Sequence, residues 1–280
     1  MRKNCGRIFV TLTSNALSDY HVHTKWCGHA TGEVYEYVEA AIARGLSEIG
    51  LSEHLPMPIP GDDKINLTDE EMDIFIREVD QARERYRGDI TVKLGGECDY
   101  FPDEEELIDS IIRRYPFDYV IGSLHYLGDW GFDNERYMHV YDERCVMDIY
   151  REYFSTAVSA VRSGFFDIFG HIDVVKKFGH FPDEDYSHLH RELAQALSDQ
   201  GMSFEINTAG KDKPVGEIYP SESLLCQLAT LKVPATLGSD AHAPEQVGRY
   251  FDQAVRLLKK CGITGLARFD RRVRTVEPLS

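Results

Sequence analysis

A short buried strand followed by a helix, repeated seven times, constrains this chain more than any other feature of it. The strand-like segments fall near residues 17–22, 48–51, 91–95, 119–122, 167–170, 203–206 and 235–237. Each is rich in apolar and β-branched residues and ends at small or polar ones, as strands buried on both faces do. Helical patterns fill the intervals. Residues 34–43 carry one apolar face and stop at Gly45. Thr68-Asp-Glu-Glu71 is a capping box that predicts a helix running to Arg87 before Gly88. Further helices are expected over 103–115, 143–163, 186–200 and 221–231, and a last one from Pro244 to Gly262. Strand alternating with helix in this way predicts a parallel α/β protein.

Nothing in the composition marks a linker, so residues 17–280 read as one domain, preceded by an N-terminal extension over 1–16. Two connections are too long to be plain turns. Residues 55–67 carry three prolines and residues 126–141 carry Trp130, Phe132 and His139, which predicts loops or lids over an active face. No apolar run approaches the roughly 20 residues needed to cross a bilayer, and the first residues lack the apolar core of a signal peptide. The six scattered cysteines form no C-x-x-C pair and read as reduced thiols of a cytoplasmic protein.

The expected chemistry lies at the strand ends. The first strand runs into His21-Val-His23, the second into His54, the third into Glu97, the fourth into His125, the fifth into His171, and the seventh into Asp240-Ala-His242. The sixth ends in Asn207, polar but not a metal-type residue. Side chains alternate along a strand, so His21 and His23 share a face, as do Asp240 and His242. A single histidine at a strand end is more often a hydrogen-bonded structural residue, and one His-x-His pair carries little weight. Six strand ends converging on His, Glu and Asp are different. Burying that many ionisable groups without a metal would leave donors and acceptors unpaired at a cost of several kcal/mol. His139, His180, His188 and His190 fall in loop or helix stretches and read as surface residues. Cys98 follows Glu97 on its strand and is expected to pack in the core.

These residues, with His29, resemble the ligand set of the polymerase-and-histidinol-phosphatase (PHP) family. The stretches 123–134 (SLHYLGDWGFDN), 167–179 (DIFGHIDVVKKFG), 205–219 (EINTAGKDKPVGEIY) and 237–245 (LGSDAHAPE) are similar to its histidinol-phosphate phosphatase branch. The resemblance spans about Ser18 to Gly262. It implies a distorted seven-stranded (β/α)7 TIM-like barrel with three divalent ions, Zn, Fe or Mn, at the C-terminal ends of the strands. By the same resemblance, His21, His23, Glu97 and Asp240 form a first subsite. Glu97 bridges to a second subsite with His125 and His171, and His29, His54 and His242 form a third.

The implied reaction is phosphomonoester hydrolysis by a hydroxide held between ions beside Glu97 and Asp240, with L-histidinol phosphate as substrate. Phosphodiester or nucleotide hydrolysis is the alternative that such a centre also permits. Divalent ions numbering three bring about +6, against −2 from the two carboxylates, leaving about +4 to attract a phosphate dianion. The chain as a whole carries −16, from 31 Lys and Arg against 47 Asp and Glu, which argues against a nucleic-acid partner. A small phosphorylated molecule is the expected partner, with no membrane and with self-association left open. Ser123, Trp130, Phe132, Lys176 and Lys211 are candidate substrate contacts, and Asp173 a candidate hydrogen-bond partner of a ligating histidine.

Overall fold

The computed structural model describes residues 17–61 and 64–279. The expected extension over 1–16 lies outside them. Eleven strands and eight α-helices are present among the described residues. Strands β1 (Ser18–Asp19), β2 (Glu48–His54), β3 (Thr91–Asp99) and β4 (Tyr119–Ser123) are each paired in parallel with the next. A two-stranded hairpin, β5 (Tyr126–Leu127) and β6 (Trp130–Gly131), stands apart. The parallel sheet resumes with β7 (Ile168–Phe169), β8 (Ser203–Asn207) and β9 (Ala235–Gly238). Beyond β9 lie β10 (Gly265–Asp270), still parallel, and β11 (Val273–Pro278), antiparallel. The two ends of the seven-strand run also meet, because Tyr20 N–H donates to Leu237 O at 2.9 Å and His23 N–H to Ala241 O at 2.9 Å.

The helices α1 (Val34–Ala43), α2 (Asp69–Arg85), α3 (Glu105–Arg114) and α4 (Val140–Glu143) precede the long α5 (Val146–Ser163). Then come α6 (Ser187–Gln200), α7 (Glu222–Thr230) and α8 (Phe251–Lys260). The capping box forms as the sequence predicts: Thr68 Oγ1 accepts from Glu71 N at 3.2 Å, and Glu71 Oε2 accepts from Thr68 N at 2.8 Å. None of these helices is long and apolar enough to cross a membrane.

Three expectations need correction. The last helix starts at Phe251, not Pro244, because Gly248 and Tyr250 take positive φ and Gly248 N–H donates to Asp19 Oδ2 at 2.9 Å. The β10–β11 hairpin was not expected. Its turn places Arg271 and Arg272 at φ of 48° and 64°, a primed-turn geometry more usual for Asn and Gly. Cys226 and Cys261 are joined as a disulfide between α7 and the end of α8, contrary to the expectation of reduced thiols throughout.

Most of the core lies between the helices and the outer side of the sheet. A second cluster of Tyr20, Tyr119, Ile121, Ile168, Ala267 and Phe269 fills the inner side near the strand starts. The Tyr119 ring packs so closely that a Cβ on Gly50 or Gly95 would sit 2.0 to 2.3 Å from it, so those strand positions admit only glycine. The hairpin brings Phe269 into this cluster, 6.1 Å from the Tyr20 ring. It thereby covers the end of the sheet opposite the histidines.

Candidate metal centre

Strand alternation, with the turns that follow each strand, brings the histidines together. The Nε2 atoms of His21 and His23 lie 3.1 Å apart, and each is 3.2 to 3.3 Å from Glu97 Oε2. His54 Nδ1 is 3.2 Å from the same oxygen. On the other side of the carboxylate, His171 Nε2 is 3.1 Å and His125 Nε2 3.7 Å from Oε1. Asp240 Oδ1 lies 3.8 Å from His23 Nε2 and 3.5 Å from His242 Nδ1. The His29 ring completes the group at 4.6 Å from that of His242. All nine residues singled out as ligand-type therefore gather around Glu97 and Asp240, which share His21 and His23 and face different members beyond them.

Hydrogen bonds behind the rings set their orientation. Glu205 Oε1 meets His21 Nδ1 at 2.8 Å, and Asp99 Oδ1 meets His125 Nδ1 at 2.9 Å, so both Nε2 atoms face inward. Glu205 Oε2 also accepts from His171 N at 2.7 Å. Gly238 makes room for this carboxylate, since a Cβ there would lie 1.8 Å from Glu205 Oε1. Glu53 accepts two bonds from Thr24 and turns Oε2 toward His23 Nδ1 at 3.8 Å. Sequence reasoning missed these three carboxylates. Asp99 was legible in principle, two residues after Glu97 on the same strand face. Glu53 and Glu205 sit before a ligand-type or polar strand end, where nothing in the spacing marks them.

The electrostatics are those of donors awaiting a cation. Burial would raise Glu97, but His21, His54 and His125 hold it well below the usual carboxylate range. Asp240 is likewise held well below by His21, His242 and His23 against its burial. Burial, reinforced by His23, pushes His242 down to about 3. Burial also lowers His54 well below its ordinary value, despite Glu97. Burial opposes charge on His23 too, yet Glu53 and Glu97 outweigh it and push it up to about 9. Nδ1 of His23, His54 and His171 has no hydrogen-bond partner although all three side chains are buried. Ionised carboxylates, the neutral imidazoles of His54 and His242 and orphaned buried nitrogens fit divalent ions with nitrogen and oxygen preference. Five triplets of ligand-type atoms lie within 4.8 Å of one another here.

All of the group except the fully buried His21 lines one wall of a cleft of about 720 Å³. Both long connections line it, through Lys64 and Ile65 from one and Tyr126, Asp133, Asn134 and Glu135 from the other. The expected substrate contacts are placed differently. Ser123 is buried and donates to Glu97 Oε1 at 2.6 Å. Phe132 and Trp130 pack on Tyr153 and Tyr141 rather than on an imidazole, with ring centroids 5.5 and 4.9 Å apart. Lys176 points into the protein, 2.9 Å from Glu217 and 3.1 Å from Asp173. Asp173 is thereby engaged with Lys176 and with Ser221 N, not with a histidine. Lys211 turns to Gly216 O at 2.8 Å. Lys177, Lys213 and Arg249 line the cleft instead. Among the remaining histidines, His190 is buried against Phe154 and Tyr186, contrary to the surface reading.

Comparison with known proteins gives these features a context. The family model described as "PHP domain" matches residues 19–209. A Deinococcus radiodurans protein bearing the name "Probable histidinol-phosphatase" is 41% identical over 247 residues, covering 88% of this chain and 94% of that one. The Bacillus subtilis histidinol-phosphatase is 28% identical over 271 residues, covering 87% and 98%. Among solved structures, Lactococcus lactis histidinol phosphate phosphatase, complexed with Zn, L-histidinol and phosphate, superposes with a TM-score of 0.81. It is 28% identical, with 93% of this chain and 99% of that one covered.

Proposed function

The chain belongs to the PHP domain family, and from that premise we propose that it is a histidinol-phosphate phosphatase. It converts L-histidinol phosphate and water to L-histidinol and inorganic phosphate, a step of histidine biosynthesis. The observation that carries this reading is the gathering of seven imidazoles around Glu97 and Asp240, six of them at the wall of one cleft. The Lactococcus lactis relative, with zinc and both products bound, supports it.

We read the parallel sheet as a distorted seven-stranded barrel extended by β10 and β11, a reading supported by the bonds from Tyr20 and His23 to Leu237 and Ala241. Residues 17–280 then make a single domain. Three divalent ions fit the nine donors, with His21, His23, Glu97 and Asp240 at one position, Glu97, His125 and His171 at the next, and His29, His54 and His242 at the third. Such ions supply Lewis acidity, activated water at neutral pH and charge to match a phosphate. The chain's own residues do the positioning. Glu205 and Asp99 fix the His21 and His125 rings, and Ser123 fixes the Glu97 carboxylate. Lys177, Lys213 and Arg249 bring positive charge to a cleft in a strongly acidic protein, which favours an anionic ester. Asp133 stays ionised because Lys177 and His125 outweigh its burial, and it offers a carboxylate to the substrate's ammonium group.

Phosphate release from L-histidinol phosphate, measured beside a panel of phosphomonoesters and one dinucleotide, tests the reading. A preference of about a hundredfold is expected, because a site built to pair a substrate's polar groups rejects analogues that lack them. A flat or dinucleotide-favouring profile would overturn the histidinol-phosphate assignment.

A further inference from the structure

We propose that Cys27 is a thiolate ligand of the third metal position, joining His29, His54 and His242. The proposal rests on the metal-centre reading above and adds a donor that the family resemblance does not supply.

Cys27 closes the short helical turn Lys25–Cys27 between the His21-x-His23 strand end and His29. Its side chain is fully buried. The sulfur lies 3.9 Å from His29 Nε2, the ring nitrogen left open when His29 Nδ1 bonds to Cys27 O at 2.9 Å. It also forms a triplet with ring nitrogens of His23 and His242, all within 4.8 Å of one another, the only such triplet containing sulfur among the described residues. A tetrahedral zinc with Zn–S of about 2.3 Å and Zn–N of about 2.0 Å separates sulfur from nitrogen by about 3.5 Å. The 3.9 Å between sulfur and His29 Nε2 needs only a few tenths of an ångström of contraction.

A second observation points the same way. His23 is 1% exposed and its Nδ1 has no hydrogen-bond partner, and neither has Glu53 Oε2, 3.8 Å away. Orphaned atoms beside a buried thiol are expected where a cation is to be shared. Contrast Cys98, which is equally buried but packs its sulfur 3.2 Å from Met57 Sδ, away from every histidine of the cluster.

On binding, the S–H bond breaks, a sulfur–metal bond forms and the proton passes to solvent, with no change of oxidation state. A soft donor at this position favours zinc over manganese, which imidazole and carboxylate alone do less strongly. It would also add a fourth donor to the three histidines, so the third ion would be held more tightly than by imidazoles alone.

X-ray absorption at the zinc edge of the fully loaded wild-type protein provides the test. A sulfur shell at about 2.3 Å is expected, amounting to about one sulfur per three zinc ions. Cys27→Ser should lose that shell, while a protein with Cys5, Cys98 and Cys145 all replaced by alanine should keep it. The second protein decides the matter if Cys27→Ser fails to fold. A wild-type spectrum with nitrogen and oxygen scatterers alone overturns the proposal, as does a shell that survives Cys27→Ser or vanishes from the triple variant. Failure of the functional reading would look different: the sulfur shell would be present, with histidinol phosphate left uncleaved.

Discussion

Where the parallel strands begin, three buried carboxylates meet cations. Asp118 pairs with Arg83 at 2.7 Å, Asp167 with Arg272 at 2.8 Å, and Glu48 with Arg268 at 3.5 Å and the Tyr20 hydroxyl. Where the same strands end, Glu97 and Asp240 meet imidazoles, and no Lys or Arg side chain pairs with either carboxylate among the described residues. Both ends bury charge, but only the first compensates it with permanently cationic side chains. Buried charges are tolerated when paired and hydrogen-bonded, and are costly otherwise. The arginine-bearing end is complete as a structure. The histidine-bearing end is complete only with a cation.

The sharpest way to break this contrast is to remove the carboxylate at the centre of the incomplete end. Glu97→Gln keeps the size and the bond from Ser123 but removes the charge that faces His21, His23, His54 and His171. Hydrolysis of L-histidinol phosphate is expected to fall to background, with far-ultraviolet circular dichroism unchanged and metal content reduced. Activity surviving in a folded Glu97→Gln protein would mean that this carboxylate is dispensable and the contrast mistaken.

Next in size is the opposite end. Phe269 is 3% exposed and fills the inner cluster against Tyr20 and Tyr119. Phe269→Ala should cost about 3–5 kcal/mol of stability through lost burial and a cavity. Urea denaturation reads that loss, and kcat/KM per folded molecule should stay at the wild-type value. A fall in kcat/KM as large as the fall in stability would show that the two ends are coupled through the strand carrying Tyr20 and His21.

The two ends also differ in how far the amino-acid sequence alone reveals them. His21, His23, Asp240 and His242 were legible because period-two alternation dictates which residues share a face. Glu97, His54, His125 and His171 were legible because each directly follows a recognisable buried strand. Lys176 was not, because a 3-10 turn over Val174–Lys176 replaces strand alternation and sends Lys176 inward while Lys177 lines the cleft. Trp130 and Phe132 were placed in the right loop, but their rings pack on tyrosines, an outcome that loop composition does not decide. The β10–β11 hairpin left almost no signal. Every residue of β11 is exposed, and its turn consists of two arginines rather than Asn-Gly.

The smallest expected effect separates compensated from uncompensated charge by its pH dependence. Arg272 donates to Asp167 Oδ2 at 2.8 Å and also bonds Phe165 O, while Val120 N–H is the other donor to that carboxylate. Burial raises the pKa of Asp167 above 3.8, and Arg272 opposes that rise. A folded pKa above the unfolded one means that the group's contribution is full below the unfolded value and is lost as pH rises through the folded one. Arg272→Met removes the opposing charge, so the folded pKa climbs further and the carboxylate is less well held once ionised. The variant should therefore lose about 1–3 kcal/mol near neutral pH, the cost of leaving a buried acceptor poorly satisfied. The loss should shrink toward acid, as Asp167 becomes protonated. Urea midpoints measured near pH 7.5 and again near pH 4.5 (about the acid end of the usual stability maximum) compare the two conditions. An equal loss at both would mean that Arg272 acts through packing and its bond to Phe165 O, and that charge compensation is not what distinguishes this end of the sheet.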